Sequence, residues 1–268
     1  RKIAPGDEMC DRPAQRSVPV NVLSEKARVL VISGAPTHTY RFVMPLLVRE
    51  KTIDVSGWLQ SMDVDMRQEG NTVIDRLPQS PSDLYKYDAL VLLDPDPRAF
   101  SPAWMDAIKT FLGEHGGGLL YMAGPQYADR FLRHIQTGAL RDILPVKVGD
   151  RSGSDVIPLI TRFNRQWPMQ PVEANLDHPM MKFEDNPSTN ATIWRKLPGV
   201  YWTFPATGAK PTARTLLEHS NTSLRRRDES RPLLTTGQYG PGRTVYFGFD
   251  STWRWRKVGH DAQYFDRF

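Results

Sequence analysis

The segment GGGLLYMAGPQYADRFL, residues 116–132, reads as a strand, a sharp turn and a helix, with Gly124, Pro125 and Gln126 at the turn. In an α/β sheet such a turn lifts one side chain above the strand ends, where nucleophilic catalysis carries its Ser or Cys. Neither stands at this apex: Pro125 has no side-chain chemistry, and Gln126 hydrogen-bonds but does not attack. Ligands of open α/β sheets bind beyond the carboxyl ends of the strands, so residues after the other apolar strands are the next to interrogate. Asp94-Pro95-Asp96-Pro97-Arg98 sets two carboxylates on a rigid turn, suited to a divalent cation or a phosphoryl group, or to capping turns and the following helix. After the last strand come Asp250 and STWRWRK, residues 251–257. If extended, one face presents Trp253 and Trp255 and the other Arg254 and Arg256. Stacked Trp and Arg bind bases or a sugar; alternatively the tryptophans cover the core and the arginines pair with Asp94, Asp96 or Asp250. The candidate ligand crevice is therefore lined by Asp94, Asp96, Arg98, Gln126, Tyr127, Asp250, Trp253 and Arg254.

Several familiar chemistries lack their residues. A receiver-type phosphoacceptor site needs acids after the first strand, and SGAPTH, residues 33–38, has none. The same stretch holds neither a GxGxxG nor a Walker lysine, which excludes the usual dinucleotide and phosphate loops. A Ser-His-acid set would have to pair Ser251 with His260, and a helix-capping Ser and a satisfied surface His are the favoured reading of these two. His178 has no second His at ligand spacing, and the lone Cys10 excludes an internal disulfide and a cysteine zinc site. No cofactor and no metal is expected.

The elements that must position these groups alternate. ARVLVISG, 27–34, is a continuous apolar, β-branched run, as expected of a central parallel strand buried on both faces. A helix follows over TYRFVMPLLVRE with Pro45 in it, then a strand, DVSGWLQ, and a polar loop over 61–82. YDALVLLDP, 87–95, is again apolar. Ser101 and Pro102 read as N-cap and first-turn residue of a helix whose Trp104, Ile108, Phe111 and Leu112 recur at helical spacing. Repeated βα units imply a mostly parallel, doubly wound sheet. From about 149 to 212 the chain is irregular and proline-punctuated, with Trp167, Trp194 and Trp202 able to pack on the sheet. Two apolar strands then flank Tyr239-Gly240-Pro241-Gly242-Arg243, a hairpin signal. Residues 1–25 are polar apart from SVPVNVL, 17–23, which reads as a remnant strand or linker from a preceding β domain, leaving 26–268 as one α/β domain.

Composition sets the outer bounds. The 268 residues are 40% hydrophobic and 24% charged, enough for a large core, and no run approaches the ~20 apolar residues of a membrane span. The chain is expected to be soluble, with any membrane attachment through segments outside it. A net charge of +5 is modest, and basic residues alternate with acids in RRRDESR, so a nucleic-acid partner is not expected despite a pI of about 9.3.

Taken together, RVLVISGAPTHTYRFVMPLL, YDALVLLDPDP, GEHGGGLLYMAGPQY, GQYGPGRTVYFGFDSTWRWR and the closing YFDRF resemble the class I glutamine amidotransferase-like superfamily. Within it the likeness is to the amidotransferase-like domains of large membrane-anchored bacterial proteins, many planctomycete. The resemblance spans residues 26–268 and implies a flavodoxin-like fold, often preceded by an immunoglobulin-like domain. Active members carry a Cys in a Gly-x-Cys-x-Gly elbow and a His-x-Glu pair after the late strand. Strand order sets these against Gly124, Pro125 and Gln126 and against Asp250, Ser251 and Thr252, and none of the three catalytic residues is matched. The resemblance thus implies a catalytically silent binding or interaction module, with other domains of its polypeptide or envelope proteins as partners. The alternative is a hydrolase or transferase with a non-standard nucleophile or a metal at Asp94 and Asp96.

Overall fold

The computed structural model describes residues 25–63, 65–78, 80–134, 137–149, 161–204, 206–221, 231–257 and 263–268. The strand expected over 17–23, Cys10 and His260 lie outside them. In chain order the strands are β1 (Ala27–Ser33), β2 (Ile53–Leu59), β3 (Ala89–Leu93), β4 (Gly118–Met122), β5 (Val146–Lys147), β6 (Thr161–Trp167), β7 (Met169–Pro171), β8 (Val200–Thr203), β9 (Gly208–Ala209), β10 (Arg214–His219), β11 (Pro232–Tyr239) and β12 (Gly242–Phe247). The α-helices are α1 (His38–Arg49), α2 (Pro81–Leu84), α3 (Pro102–Gly113), α4 (Ala128–Arg133), α5 (Ala139–Ile143), α6 (Pro187–Lys196) and α7 (Gln263–Arg267).

Eight strands form one sheet in the order β2-β1-β3-β4-β12-β11-β10-β7. The first five run parallel, and the remaining pairings are antiparallel. This is the doubly wound, flavodoxin-like α/β architecture, with the expected hairpin formed by β11 and β12. Because strand side chains alternate between faces, each strand feeds two cores. Leu30, Ile32, Leu90, Leu92, Leu119 and Tyr121 pack with α3 and α4 on one face. Val29, Val31, Val55, Leu93, Met122 and Phe247 pack with α1 and α6 on the other.

Local chemistry accounts for the elements. Ser101 accepts from the Trp104 N–H at 3.2 Å, capping α3 as its sequence indicates. The polar loop over 61–82 protects the edge strand: Gly57 and Glu69 are joined at 2.8 Å, Asn71 and Val55 at 2.8 Å, and Gln68 accepts from the Leu59 N–H at 2.8 Å. An uncovered edge would invite pairing with another chain.

Two stretches are more regular or more wound than their sequences suggest. The proline-rich stretch holds α6, the β6–β8 pair and the edge strand β7, with Trp194 and Trp202 buried as expected. STWRWRK is not extended, since Thr252–Lys257 forms a 3₁₀ helix. Burial explains that choice: Trp255 is fully enclosed against Trp194, Phe249 and Phe268, while Trp253 stays at the surface. Trp253 and Trp255 therefore do not share an exposed face.

Candidate functional site

The strand-end residues separate into three groups. The first is the elbow. β4 ends at Met122, the chain turns through Ala123–Gly124–Pro125, and α4 begins at Ala128. No side chain caps α4 from its own N-cap position. Asp94, at the end of the neighbouring strand β3, instead holds the turn that leads into the helix: its carboxylate accepts the Gln126 N–H at 2.9 Å and the Tyr127 N–H at 3.0 Å. Buried backbone N–H groups need a partner, and those of the turn have a carboxylate of the chain itself.

The backbone is shaped to allow this. Asp94 has φ +42°, the one non-glycine residue at positive φ among the described residues, a conformation Asp tolerates better than most. A Cβ on Gly124 would lie 2.5 Å from the Asp94 Oδ2, and one on Gly34 would lie 2.4 Å from the Asp94 carbonyl and 2.7 Å from the Tyr127 ring. Asp94 is 5% exposed. Burial pushes its carboxyl up to about 6, against the pull of the N–H groups of Gln126, Tyr127 and Ala128 and with a small push from Asp250.

The second group is Asp96 with Arg98. Asp96 caps its own 3₁₀ turn, Pro97–Ala99, and accepts from Arg98 Nε at 2.9 Å. The Arg98 hydrogen bond holds the Asp96 carboxyl below its ordinary range despite partial burial. Gln60 clasps the Asp96 backbone, accepting its N–H at 2.7 Å and donating to its carbonyl at 3.1 Å. Asp94 and Asp96 thus turn to different partners, and no group of three His, Cys, Asp or Glu able to hold a metal ion is found among the described residues.

The third group follows β12. Thr39 at the start of α1 donates to the Asp250 carbonyl at 2.7 Å, tying this loop to the first βα turn. Ser251, buried, donates to Asp250 Oδ1 at 3.3 Å. Burial raises the Asp250 carboxyl, while its own backbone N–H, the Ser251 hydroxyl and the charges of Arg254 and His38 pull it down. Trp253 stacks on Phe42 at 6.3 Å and meets the His38 ring edge-on at 4.6 Å. The Arg254 guanidinium lies 4.5 Å from the Trp253 ring centroid and 4.9 Å from that of Tyr201. Phe42 and Tyr201 escape a sequence reading because their helix and strand are far off in the chain, whereas His38 is marked by its place just after the first strand.

Two cavities lie elsewhere. One of about 800 Å³ sits at the amino ends of β1 and β2, lined by Arg28, Asp54, Ser56, Thr72, Arg76 and Lys86 among others. The other, about 460 Å³, lies between β7 and α6. Charges in the larger one are partly spent: Lys86 pairs with Asp83 at 2.7 Å, and Asp54 accepts from the Thr72 hydroxyl at 2.9 Å. The strand ends remain the better candidate, because residues from four separate loops converge there at the usual ligand edge of a doubly wound sheet.

The fold and site define a doubly wound α/β protein with a self-capped elbow. Among solved structures the chain is similar to a cytoplasmic protein of Salmonella typhimurium LT2, with 17% identity, TM-score 0.61 and coverage of 90% of this chain and 97% of that one. A second cytoplasmic protein of Salmonella typhimurium matches with 18% identity, TM-score 0.57 and coverage of 89% and 95%. A ThuA-like protein of Bacteroides uniformis matches at 15% identity, TM-score 0.46 and coverage of 87% and 86%. No protein-family model matches the chain, and no curated protein does. At these identities the likeness is one of fold. No helix among the described residues is long and apolar enough to cross a membrane.

Proposed function

We propose that this chain is a non-catalytic, amidotransferase-like ligand-binding module whose site is the strand-end crevice around Asp250, Trp253 and Arg254. One observation carries the reading: the Asp94 carboxylate accepts the Gln126 and Tyr127 N–H groups at the elbow. Acyl transfer needs a nucleophile at that turn and free backbone donors aimed at the developing oxyanion. Pro125 supplies no nucleophile, and a negative charge already sits on the donors. An anionic intermediate there would have to displace a buried carboxylate. The fold and the self-capped elbow support a retained scaffold with a different task. The partners we propose for it are other domains of the same polypeptide or envelope proteins.

The test is a glutaminase and esterase assay on the intact chain with Asp94→Asn and Ser251→Ala as controls. No turnover above buffer is expected from any of the three. Reproducible turnover abolished by either substitution would contradict the reading and favour a non-standard nucleophile.

A further inference from the structure

Arg254 is a charged group at the strand ends with a buried donor that no described residue satisfies. Its guanidinium is held between Tyr201 and Trp253, 4.9 and 4.5 Å from the ring centroids, which fixes its plane and lowers its loss of freedom on binding. Its side chain donates no hydrogen bond to a described residue, and its Nε is shielded from solvent without an acceptor. Asp250, four residues earlier, is near enough for its carboxyl to feel the Arg254 charge, yet the two form no ion pair. The one hydrogen bond that another described residue gives the Asp250 side chain is the 3.3 Å contact from Ser251. A guanidinium with an unmet donor and a carboxylate without an ion-pair partner therefore meet in one loop, joined through Ser251, whose carbonyl accepts the Arg254 backbone N–H at 3.0 Å and whose hydroxyl reaches Asp250. Trp253 itself is not a free platform for a sugar or a base, since it already stacks on Phe42 and carries Arg254.

We infer that the crevice binds a small hydroxy acid, whose carboxylate pairs with the Arg254 guanidinium and whose hydroxyl donates to Asp250. This rests on the strand-end reading above and assigns the ligand class to it. A carboxylate on a planar guanidinium forms two parallel charge-assisted bonds, and a hydroxyl adds a further donor to the partly buried Asp250 beside its own N–H and the Ser251 hydroxyl. Sugar acids carry both groups at adjacent positions.

The test is an NMR titration of the intact chain with D-gluconate, with D-sorbitol, which keeps the hydroxyls but lacks the carboxylate, and with hexanoate, which has the carboxylate but no hydroxyl. Gluconate is expected to shift the amides of Asp250–Arg254 and His38, and each of the other two to bind on the order of tenfold more weakly or not at all. Arg254→Met is expected to lose gluconate binding by at least a similar factor, with Arg254→Lys intermediate because an ammonium lacks the fork. The comparison of three probes on the unaltered protein stands even if a variant fails to fold. Equal binding of sorbitol and gluconate at these amides would overturn the hydroxy-acid assignment and leave the crevice reading standing. Shifts gathered instead around Arg28 and Asp54 would overturn both, and no shift with gluconate at any residue would overturn the assignment.

Discussion

The two loops that follow β4 and β12 sit at the same end of the sheet and solve the same problem in opposite ways. The elbow after β4 is electrostatically closed: the N–H groups of its turn have an internal carboxylate, and glycines at 34 and 124 leave room for it. The loop after β12 is anchored by a buried tryptophan but leaves the half-buried Arg254 guanidinium with an Nε that has no acceptor. Two strand ends alike in position thus differ in whether any bonding capacity is left for a ligand. The difference teaches that the residue at an apex and the bonding state of the N–H groups beside it are separate features, and at this elbow the N–H groups are already bonded.

Breaking the anchor of the open loop should have the largest effect. Trp255 is fully buried against Trp194, Phe249 and Phe268, and Trp255→Ala is expected to cost about 3–5 kcal/mol by denaturant unfolding. It should also loosen the turn over residues 252–257, read as faster hydrogen exchange at the Arg254 amide, which donates to the Ser251 carbonyl at 3.0 Å. Overfilling the closed loop comes next. Gly124→Ala puts a methyl against the Asp94 side chain and is expected to cost about 1–3 kcal/mol, with faster hydrogen exchange at Gln126 and Tyr127. At the outer edge, the Arg98 side chain is 79% exposed, and an exposed ion pair contributes little. Arg98→Ala should leave the Tm unchanged within error in a calorimetric scan. A large Tm drop there with none at Gly124 would reverse the assignment of which carboxylate holds the elbow together.

Much of this was legible in residue order. Continuous apolar strands, Ser101–Pro102 at a helix start and the Gly-rich hairpin turn each have a local physical cause, so β1, β3, α3 and the β11–β12 hairpin follow from sequence. The winding of residues 252–257 did not, because alternation of Trp and Arg fits a strand or a 3₁₀ turn, and only burial of Trp255 against distant aromatics decides between them. Asp94 could be read as a capping residue, but its target is the turn into α4 across the neighbouring strand rather than the helix that follows it, and sequence spacing carries no cue for a contact delivered through the sheet. Likewise the Tyr201 ring reaches Arg254 from a stretch whose prolines hide its short elements.

The state of Asp94 is the most direct test of the closed elbow. Its carboxyl is pushed by burial from an ordinary 3.8 up to about 6, so the folded chain holds a proton that the unfolded chain gives up at lower pH. The stabilisation linked to that proton is fully present below pH 3.8 and is lost as pH rises through about 6, at most about 3 kcal/mol. Amide shifts of Gln126 and Tyr127, followed by NMR from about pH 2.5 to 8, should titrate together with a midpoint near 6 and lose that transition in Asp94→Asn. A midpoint near 3.8, or a transition that survives Asp94→Asn, would contradict a buried carboxylate seated on the elbow donors.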